Sequence, residues 1–231
     1  MTSARVVSAV KRLLPHTTRI GHAGTLDTFA TGVLLLLVGK ATRKCEQIMS
    51  LPKVYEATIK LGATTLTDDP DSPEQMYRGL TNPMNETMEG RTDSDYGNMR
   101  QNPTLEQIQA AIPQFTGEIM QRPPVYSALK VSGRRASDLA RGGKTVELKP
   151  RRIQVYSFRL IEYTWPCIRV EIECGRGTYI RSIARDLGAV LGVGGYVLQL
   201  RRTRIGPFPV SSAAALSSLT TQNVESLLMP F

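Results

Sequence analysis

An alternating strand that runs through a glycine turn into an amphipathic helix constrains the fold of this chain most strongly. In Ile168–Cys174, apolar side chains alternate with charged ones, which predicts a strand with one buried face. Gly175-Arg176-Gly177 then predicts a turn into a helix that begins near Thr178. The predicted apolar stripe of this helix is Ile180, Ile183, Ala184, Leu187 and Leu191. Arg181 and Arg185 lie one turn apart beside that stripe.

Other segments add helices and strands in no repeating order. Ser3 is the expected N-cap of a helix over Ala4–Leu14, and Thr104 is the expected N-cap of a helix over Leu105–Ile112. Ala41–Met49 is a fourth predicted helix. Strands are predicted at Val33–Val38, Tyr55–Leu61 and Ile153–Ile161. The sum is a mixed α+β domain without internal repeats.

The segment from about Thr67 to Pro103 breaks this periodicity. It is rich in Asp, Asn, Thr, Pro, Gly and Met, and a loop of that length predicts a mobile acidic insertion at about 72–102. Asp68, Asp69 and Asp71 could be a cation site, but their spacing matches no calcium loop. We therefore expect a solvated acidic loop.

The charge of the chain favours a polyanionic partner. The net charge is +9, whereas residues 66–106 carry nine acids and three arginines, so the rest of the chain holds +15. Such a surface attracts nucleic acid, although a merely soluble basic surface fits the charge alone equally well. Three cysteines without a CxxC pair and only two histidines predict reduced thiols and no metal site. The longest apolar run, Val33–Val38, is far too short to span a membrane.

One acid in a glycine-rich loop is a candidate for chemistry. Asp27 ends Gly21–Asp27, and Ala30-Thr31-Gly32 follows just before the predicted strand at Val33. Glycine permits tight turns and close approach by a ligand, so such a loop can present an acid to a substrate. By spacing alone, however, an acid at this position is more often a cap or a turn residue.

These stretches resemble the signature of the bacterial TruB-type tRNA pseudouridine synthases. The match includes Gly21–Asp27, Ala30–Gly32 and Gly39–Arg43. Further matches follow in the order expected for the family, and they are Lys53–Ala57, Gln121–Lys130, Gly177–Gly188, Val197–Arg202 and Leu227–Pro230. The resemblance runs from Thr2 to the end of the chain and is interrupted mainly at about 72–102. It implies a pseudouridine synthase fold with a mixed, mainly antiparallel central sheet flanked by helices and loops.

The resemblance also implies an isomerase that cleaves the glycosidic bond of a tRNA T-loop uridine (uridine-55), rotates the base and rejoins it through C5. Asp27 is the expected nucleophile, and a carboxylate suits a transient covalent adduct. Tyr55 is expected to stack on the target base, and Arg181 to pair with the catalytic carboxylate. Apart from the resemblance, Tyr55 could be a core residue and Arg181 a solvated helix residue.

The expected substrate-binding residues surround a base that must leave its stack. His22 and Leu200 match family positions near the flipped nucleotide, and Tyr179 belongs to the matching motif around Arg181. By themselves, His22 could be a surface residue and Leu200 a core residue. Nine Lys or Arg residues within 122–152, among them Lys130, Arg134 and Arg135, predict a surface for the RNA backbone. An ordinary solvated basic face is the alternative.

Several features depart from the family pattern. The usual Lys-Pro-x-Gly before Thr2-Ser3 is missing, Thr28 replaces a proline, and Ser137 stands where tyrosine is common. We expect one catalytic domain over 1–231 without a C-terminal PUA domain, and weaker tRNA binding as the consequence. The chain as a whole is expected to be a cytoplasmic monomer that binds the tRNA T-arm. We expect it to bind no membrane and to need no cofactor. The alternative is a non-catalytic tRNA-binding or tRNA-folding factor.

Overall fold

A computed structural model of the chain describes residues 1–77, 102–131 and 133–229. The chain divides into two compact units. The first unit consists of Met1–Glu56, Glu173–Arg176 and Leu200–Phe231, and the second of Ala57–Ile172 and Gly177–Gln199. The prediction of a single catalytic domain stays a prediction.

The helices are short and the strands numerous. The α-helices are α1 (Ser3–Lys11), α2 (Cys45–Ser50), α3 (Leu105–Ala111), α4 (Ala136–Arg141) and α5 (Ile180–Val190). The strands are β1 (Ile20–His22), β2 (Thr31–Gly32), β3 (Leu36–Val38), β4 (Lys53–Leu61), β5 (Ala63–Thr65), β6 (Glu74–Met76), β7 (Gly117–Gln121), β8 (Lys130–Val131), β9 (Arg134–Arg135), β10 (Arg151–Thr164), β11 (Cys167–Cys174), β12 (Gly195–Ile205) and β13 (Phe208–Pro209). Short 3-10 helices cover Gly39–Lys44, Ile112–Phe115, Val210–Ser212 and Leu216–Ser218.

The largest sheet among the described residues is mixed and has seven strands. Its order is β13-β12-β4-β11-β10-β7, and β2 also pairs with β12. The β2–β12 pair is parallel, whereas β12–β13 and β10–β7 are antiparallel. Three two-stranded sheets, β1–β3, β5–β6 and β8–β9, complete the described strands. The α+β class and the mixed sheet predicted from the sequence are thus confirmed.

In the first unit, the two ends of the chain share a core. Val10 and Leu14, from α1 and the turn after it, cluster with Val224. Leu36 and Val38 of β3 pack against this cluster. A second cluster joins Ala23 and Leu37 to Ile48 of α2. The residues on either side of the Asp27 loop are therefore anchored in packed side chains.

In the second unit, α5 is held by its apolar stripe. Ile180, Ile183, Ala184 and Leu187 are almost completely buried, as the sequence predicts. The alternation predicted for β11 is also confirmed, since Ile168, Val170 and Ile172 of this unit are buried, and so is Cys174, where β11 continues into the first unit. The helix begins at Ile180, with Tyr179 as its N-cap, rather than near Thr178.

Two predicted elements are shorter than expected. The segment Val33–Val38 is not one strand, because the Val33 N–H donates to the carbonyl of Arg202 whereas Leu36–Val38 pairs with β1. The predicted helix over Ala41–Met49 is a 3-10 turn over Gly39–Lys44 that continues into α2. The predicted cap at Thr104 is confirmed, and its side chain accepts from the N–H of Gln107.

The acidic stretch after Thr65 is only partly described. Glu74–Met76 forms β6, which pairs with β5, although the sequence shows no periodicity there. Residues 78–101, which make up most of the predicted mobile insertion, lie outside the described residues. That insertion therefore stays a prediction.

Candidate active site

Asp27 lies half-buried in the loop that joins β1 to β2. The loop starts at Ala23, whose N–H donates to the carbonyl of Leu35 over 3.0 Å. Gly24 follows with a φ of +101°, a conformation that residues with a side chain rarely adopt. After Asp27 the chain turns tightly, since the carbonyl of Asp27 accepts from the N–H of Ala30 over 3.1 Å. The glycine-rich sequence thus forms the tight loop that was predicted.

Ser3 does not cap α1, contrary to the sequence-based prediction. The N-cap is Thr2, whose side chain accepts from the N–H of Arg5. Ser3 is 5% exposed, and its hydroxyl binds Leu26, the residue before Asp27. The Ser3 Oγ accepts from the Leu26 N–H over 3.0 Å and donates to the Leu26 carbonyl over 3.3 Å. The prediction was wrong because the hydroxyl has a partner 23 residues away.

Arg202 holds the same loop from the strand β12. Its side chain is 1% exposed, and its three donor groups point at three backbone carbonyls. Nε donates to Val33 over 2.9 Å, Nη1 to Thr25 over 3.3 Å and Nη2 to Gly24 over 3.2 Å. Sequence reasoning gave Arg202 no role. The signal was nevertheless available, because strand alternation places Arg202 on the same face as the buried Leu200.

Around Arg202, burial favours the neutral forms of two other side chains. Burial raises the pKa of the half-buried Tyr55, and the positive charge of Arg202 only partly opposes this effect. Burial, and then the charge of Arg202, lowers the pKa of His22. Among the described residues, the buried Nδ1 of His22 has no hydrogen-bond partner. Tyr55 is therefore a phenol and His22 a neutral imidazole at neutral pH.

Lys53 supports this region from the start of β4. It is 7% exposed, and its ammonium group donates to the carbonyls of Met49 and Leu51 at the end of α2, the latter over 2.6 Å. These carbonyls would otherwise have no helical partner. Burial, and then the charge of Arg202, lowers the pKa of Lys53.

In the second unit, Arg181 is a buried residue and not a solvated one. It lies in the first turn of α5 and is 4% exposed. Its Nη1 donates to Asp69 Oδ2 over 3.0 Å and to the carbonyl of Thr67 over 3.0 Å. Asp69 is 3% exposed, and its other carboxylate oxygen accepts from Thr67 Oγ1 and the Asp71 N–H. The prediction of a solvated acidic loop is therefore wrong at Asp69.

Asp68 and Arg185 form a second ion pair on the next turn of α5. The Arg185 Nη1 lies 3.1 Å from Asp68 Oδ2. Burial raises the pKa of Asp68 to about 6, although Arg185 and Arg181 both lower it. Arg185 also donates to the carbonyl of Arg122 over 2.9 Å. Asp68, too, is thus a structural partner of the helix rather than part of a solvated loop.

Tyr179 is fixed through its backbone by Gln121, at the end of β7. The Gln121 side chain is 2% exposed, donates to the Tyr179 carbonyl over 3.0 Å and accepts from the Tyr179 N–H over 2.8 Å. Gln121 lies in one of the family-matching stretches but received no predicted role. No local signal identifies it, since its partner lies 58 residues away.

The predicted RNA-binding residues lie on the exposed hairpin of β8 and β9. Lys130 lies directly opposite Arg135, and Arg134 opposite Val131. All three basic residues are exposed. Because like charges on facing strand positions repel, this pair does not serve the stability of the hairpin.

The predicted site residues thus fall into two groups. Asp27, His22, Tyr55 and Leu200 belong to the first unit, and Leu200 is 6% exposed. Arg181, Tyr179 and the basic hairpin belong to the second unit. The pairing of Arg181 with Asp27 stays a prediction. Within the described ranges, no group of three or more His, Cys, Asp or Glu side chains could hold a metal ion, and no helix is long and apolar enough to cross a membrane.

Comparison of the sequence with known protein families assigns the chain to one of them. The profile described as "TruB family pseudouridylate synthase (N terminal domain)" matches residues 11–180. The chain belongs to this family. A second profile, "tRNA pseudouridylate synthase B C-terminal domain", matches residues 181–230. The family predicted from the sequence, and with it the class of isomerase, is confirmed.

Individual relatives agree with this assignment. A protein named tRNA pseudouridine synthase B from Thermobifida fusca is 43% identical over 96% of this chain and 71% of its own length. One of the same name from Mycobacterium tuberculosis is 42% identical over 98% of this chain and 70% of its own length.

Among solved structures, a Cbf5-Nop10-Gar1 complex matches 95% of this chain with a TM-score of 0.65 and 27% identity. An H/ACA RNP bound to a substrate RNA containing 2'-deoxyuridine gives a TM-score of 0.62, with 25% identity over 95% of the chain. The chain spans about half the length of these solved chains.

Proposed function

We propose that this protein isomerises the T-loop uridine of tRNA (uridine-55) to pseudouridine, with Asp27 as the nucleophile. The observation that carries the proposal is the placement of Asp27. It is the half-buried acid at the end of the family-matching motif, in a loop whose backbone is bound on both sides by buried side chains. A nucleophile that attacks one sugar or base carbon must be held in one position.

The reaction needs no external reactant. The Asp27 carboxylate attacks the ribose or the base, and the bond between N1 and C1′ breaks. The detached uracil turns and C5 bonds to C1′ as the carboxylate is released. C5 then loses its proton and N1 takes one up, so the product is an isomer of uridine and the starting enzyme is restored. Because the isomerisation is redox-neutral, we propose that it requires no cofactor.

Two neutral side chains of the first unit suit contact with a flipped base. A phenol with a raised pKa keeps its proton and presents an uncharged ring, which can stack on uracil. We therefore assign the stacking role to Tyr55. Neutral His22, with an unused Nδ1 among the described residues, can accept or donate one hydrogen bond near the vacated position.

Arg181 is the proposed partner of the catalytic carboxylate in the substrate complex. Its bonds to Asp69 and Thr67 fix the guanidinium in one orientation before substrate arrives. A cation held in this way can keep a nearby carboxylate ionised. Tyr179, whose backbone Gln121 fixes, is proposed to contact substrate from the residue before α5.

The basic hairpin supports a nucleic-acid partner. Lys130, Arg134 and Arg135 are exposed and keep like charges close together, an arrangement that a phosphate backbone would relieve. We propose that this hairpin binds the tRNA T-arm. Action as a monomer in the cytoplasm completes the proposal.

The test is conversion of an unmodified tRNA transcript, with pseudouridine mapped by position. Wild-type protein is expected to convert uridine-55, and Asp27→Asn to bind the same tRNA without forming product. Asp71→Asn, at an exposed acid, is the matched control and is expected to react like the wild type. Wild-type protein that binds tRNA but forms no pseudouridine would refute the enzyme and favour the non-catalytic tRNA-binding factor.

A further inference from the structure

Two side chains from outside the Asp27 loop bind its backbone on either side of Asp27. Ser3 binds both the N–H and the carbonyl of Leu26. Arg202 binds the carbonyls of Gly24, Thr25 and Val33. Five polar groups that flank Asp27 are thereby bound by two side chains from α1 and β12.

Both side chains are nearly inaccessible to solvent. Ser3 is 5% exposed and Arg202 is 1% exposed. A buried cation usually requires an acidic partner, because its loss of hydration is costly. Arg202 instead donates to three backbone carbonyls and also interacts with the side chain of Tyr55, and within the described residues no ion pair involves it. The burial of a guanidinium here therefore serves the position of these carbonyls rather than the neutralisation of an acid.

The geometry of Arg202 is specific to arginine. Its planar group directs Nε at Val33 while Nη1 and Nη2 reach the adjacent carbonyls of Thr25 and Gly24. A lysine would bring the same charge to a single point and could not span all three carbonyls. Arg202→Lys therefore keeps the positive charge but removes the forked set of hydrogen bonds.

A glycine completes the contact between loop and strand. Gly32 pairs with Arg202 in the parallel β2–β12 register, and the Val33 N–H donates to the Arg202 carbonyl over 2.9 Å. A Cβ at Gly32 would lie 2.1 Å from that carbonyl oxygen. The loop and β12 therefore approach as closely as two backbones can, so Arg202 holds the loop with its main chain and its side chain.

We propose that Ser3 and Arg202 are positioning residues that together form a clamp on the Asp27 loop and fix the nucleophile for attack. The proposal rests on the proposed function of Asp27. It assigns no contact with substrate to either residue. Loss of one arm of the clamp lets Asp27 move, which lowers the rate of the chemical step and leaves the affinity for tRNA unchanged.

The first test measures the loop itself by hydrogen–deuterium exchange. In Ser3→Ala and Arg202→Lys, the amides of residues 21–33 are expected to exchange about 10-fold faster than in the wild type, which corresponds to one lost hydrogen bond. Ser8→Ala, on the exposed face of α1, and Arg201→Lys, on the exposed face of β12, are the matched controls. Equal exchange rates in this segment for the wild type, the two clamp variants and the two controls would overturn the clamp.

The second test separates positioning from stability. With saturating tRNA in single-turnover experiments, Arg202→Lys is expected to react about 100-fold more slowly, because an ångström of misplacement has about that effect. Ser3→Ala is expected to react about 10-fold more slowly. The Kd for tRNA should change less than about twofold in both. A lower melting temperature with an unchanged single-turnover rate would indicate a merely structural role and would overturn the proposal.

The two readouts distinguish this clamp from the proposed function. If the wild-type protein forms no pseudouridine, the proposed function has failed, and unchanged loop exchange in the variants would independently refute the clamp. If Arg202→Lys does not fold, Ser3→Ala decides both measurements. An active wild type, a fast-exchanging loop and a slow chemical step in Ser3→Ala together support the clamp.

Discussion

The Asp27 loop and the start of α5 both depend on a buried arginine, but the arginine has the opposite task in each. In the loop, Arg202 holds a backbone that carries an acid. In α5, the acid Asp69 holds the arginine, Arg181. Carbonyl dipoles leave the charge of Arg202 intact. Burial, and then this charge, lowers the pKa of His22 and Lys53. A carboxylate, in contrast, compensates Arg181 directly, so loss of the partner has different consequences in the two regions.

The largest effect is expected from removal of the acid at α5. Asp69→Ala leaves Arg181 as a buried cation without the Asp69 carboxylate, which should lower the free energy of unfolding by about 3–5 kcal/mol. Urea denaturation measures this loss. Asp71→Ala, at an exposed acid two residues away, is expected to stay within about 0.5 kcal/mol of the wild type. Equal unfolding midpoints for both variants would show that the ion pair does not stabilise the helix.

A smaller loss is expected where the loop meets β12. Gly32→Ala combines a φ of +107° with a Cβ 2.1 Å from the Arg202 carbonyl oxygen. Backbone strain and overpacking together should lower the free energy of unfolding by about 2–4 kcal/mol.

Gly39→Ala is the matched control for this substitution. Gly39 has a φ of +59°, and a Cβ added there would meet no atom within 4 Å, so only strain of about 1 kcal/mol is expected. The difference between the two variants in urea denaturation measures the contact with Arg202. No difference would mean that β2 can shift away from β12, so that the close approach does not hold the loop in place.

The pH dependence of stability provides a third contrast, because one of the ion pairs of α5 contains an acid with a raised pKa. The pKa of Asp68 rises from 3.8 to about 6 on folding. Between these values the folded protein keeps a proton that the unfolded chain has lost, so this group's contribution to stability falls as pH rises through that window.

Asp68→Asn should flatten this part of the profile, by about 1–2 kcal/mol between about pH 4 and 6. Asparagine is the suitable replacement because Asp68 has a φ of +59°, which Asn tolerates. Unfolding free energies measured across this range check the slope. A profile of Asp68→Asn that is parallel to the wild type would show that another group titrates there.

The comparison also explains which parts of the molecule could be predicted from the sequence. The alternation in β11 and the apolar stripe of α5 repeat over short distances, so local patterns were sufficient for both. The roles of Ser3 and Asp69 were predicted wrongly, because their partners lie 23 and 112 residues away and no local pattern records them. Asp27 itself was identified only through its family resemblance.

Arg202 is an intermediate case. Because side chains alternate between the two faces of β12, Arg202 lies on the same buried face as Leu200. The burial of Arg202 could therefore have been inferred from the sequence pattern. Its three carbonyl partners could not, since Gly24, Thr25 and Val33 become neighbours of β12 only through the parallel pairing of β2. In both regions, the sequence indicates the charged residue and the tertiary fold supplies its partner.

The smallest effect on stability is expected at the exposed hairpin of β8 and β9, whose charged side chains are not buried. Lys130→Gln removes the repulsion from Arg135 across the strands and should raise the free energy of unfolding by a few tenths of a kcal/mol, about the size of one cross-strand pair. The same change should weaken tRNA binding and reduce the slope of log Kd against log salt by about 0.7–0.9, the value for one phosphate contact. Lys130→Arg keeps the charge and should restore the slope. Because the two effects have opposite signs, a variant that loses both stability and affinity would show that Lys130 supports the hairpin itself, as Asp69 supports α5.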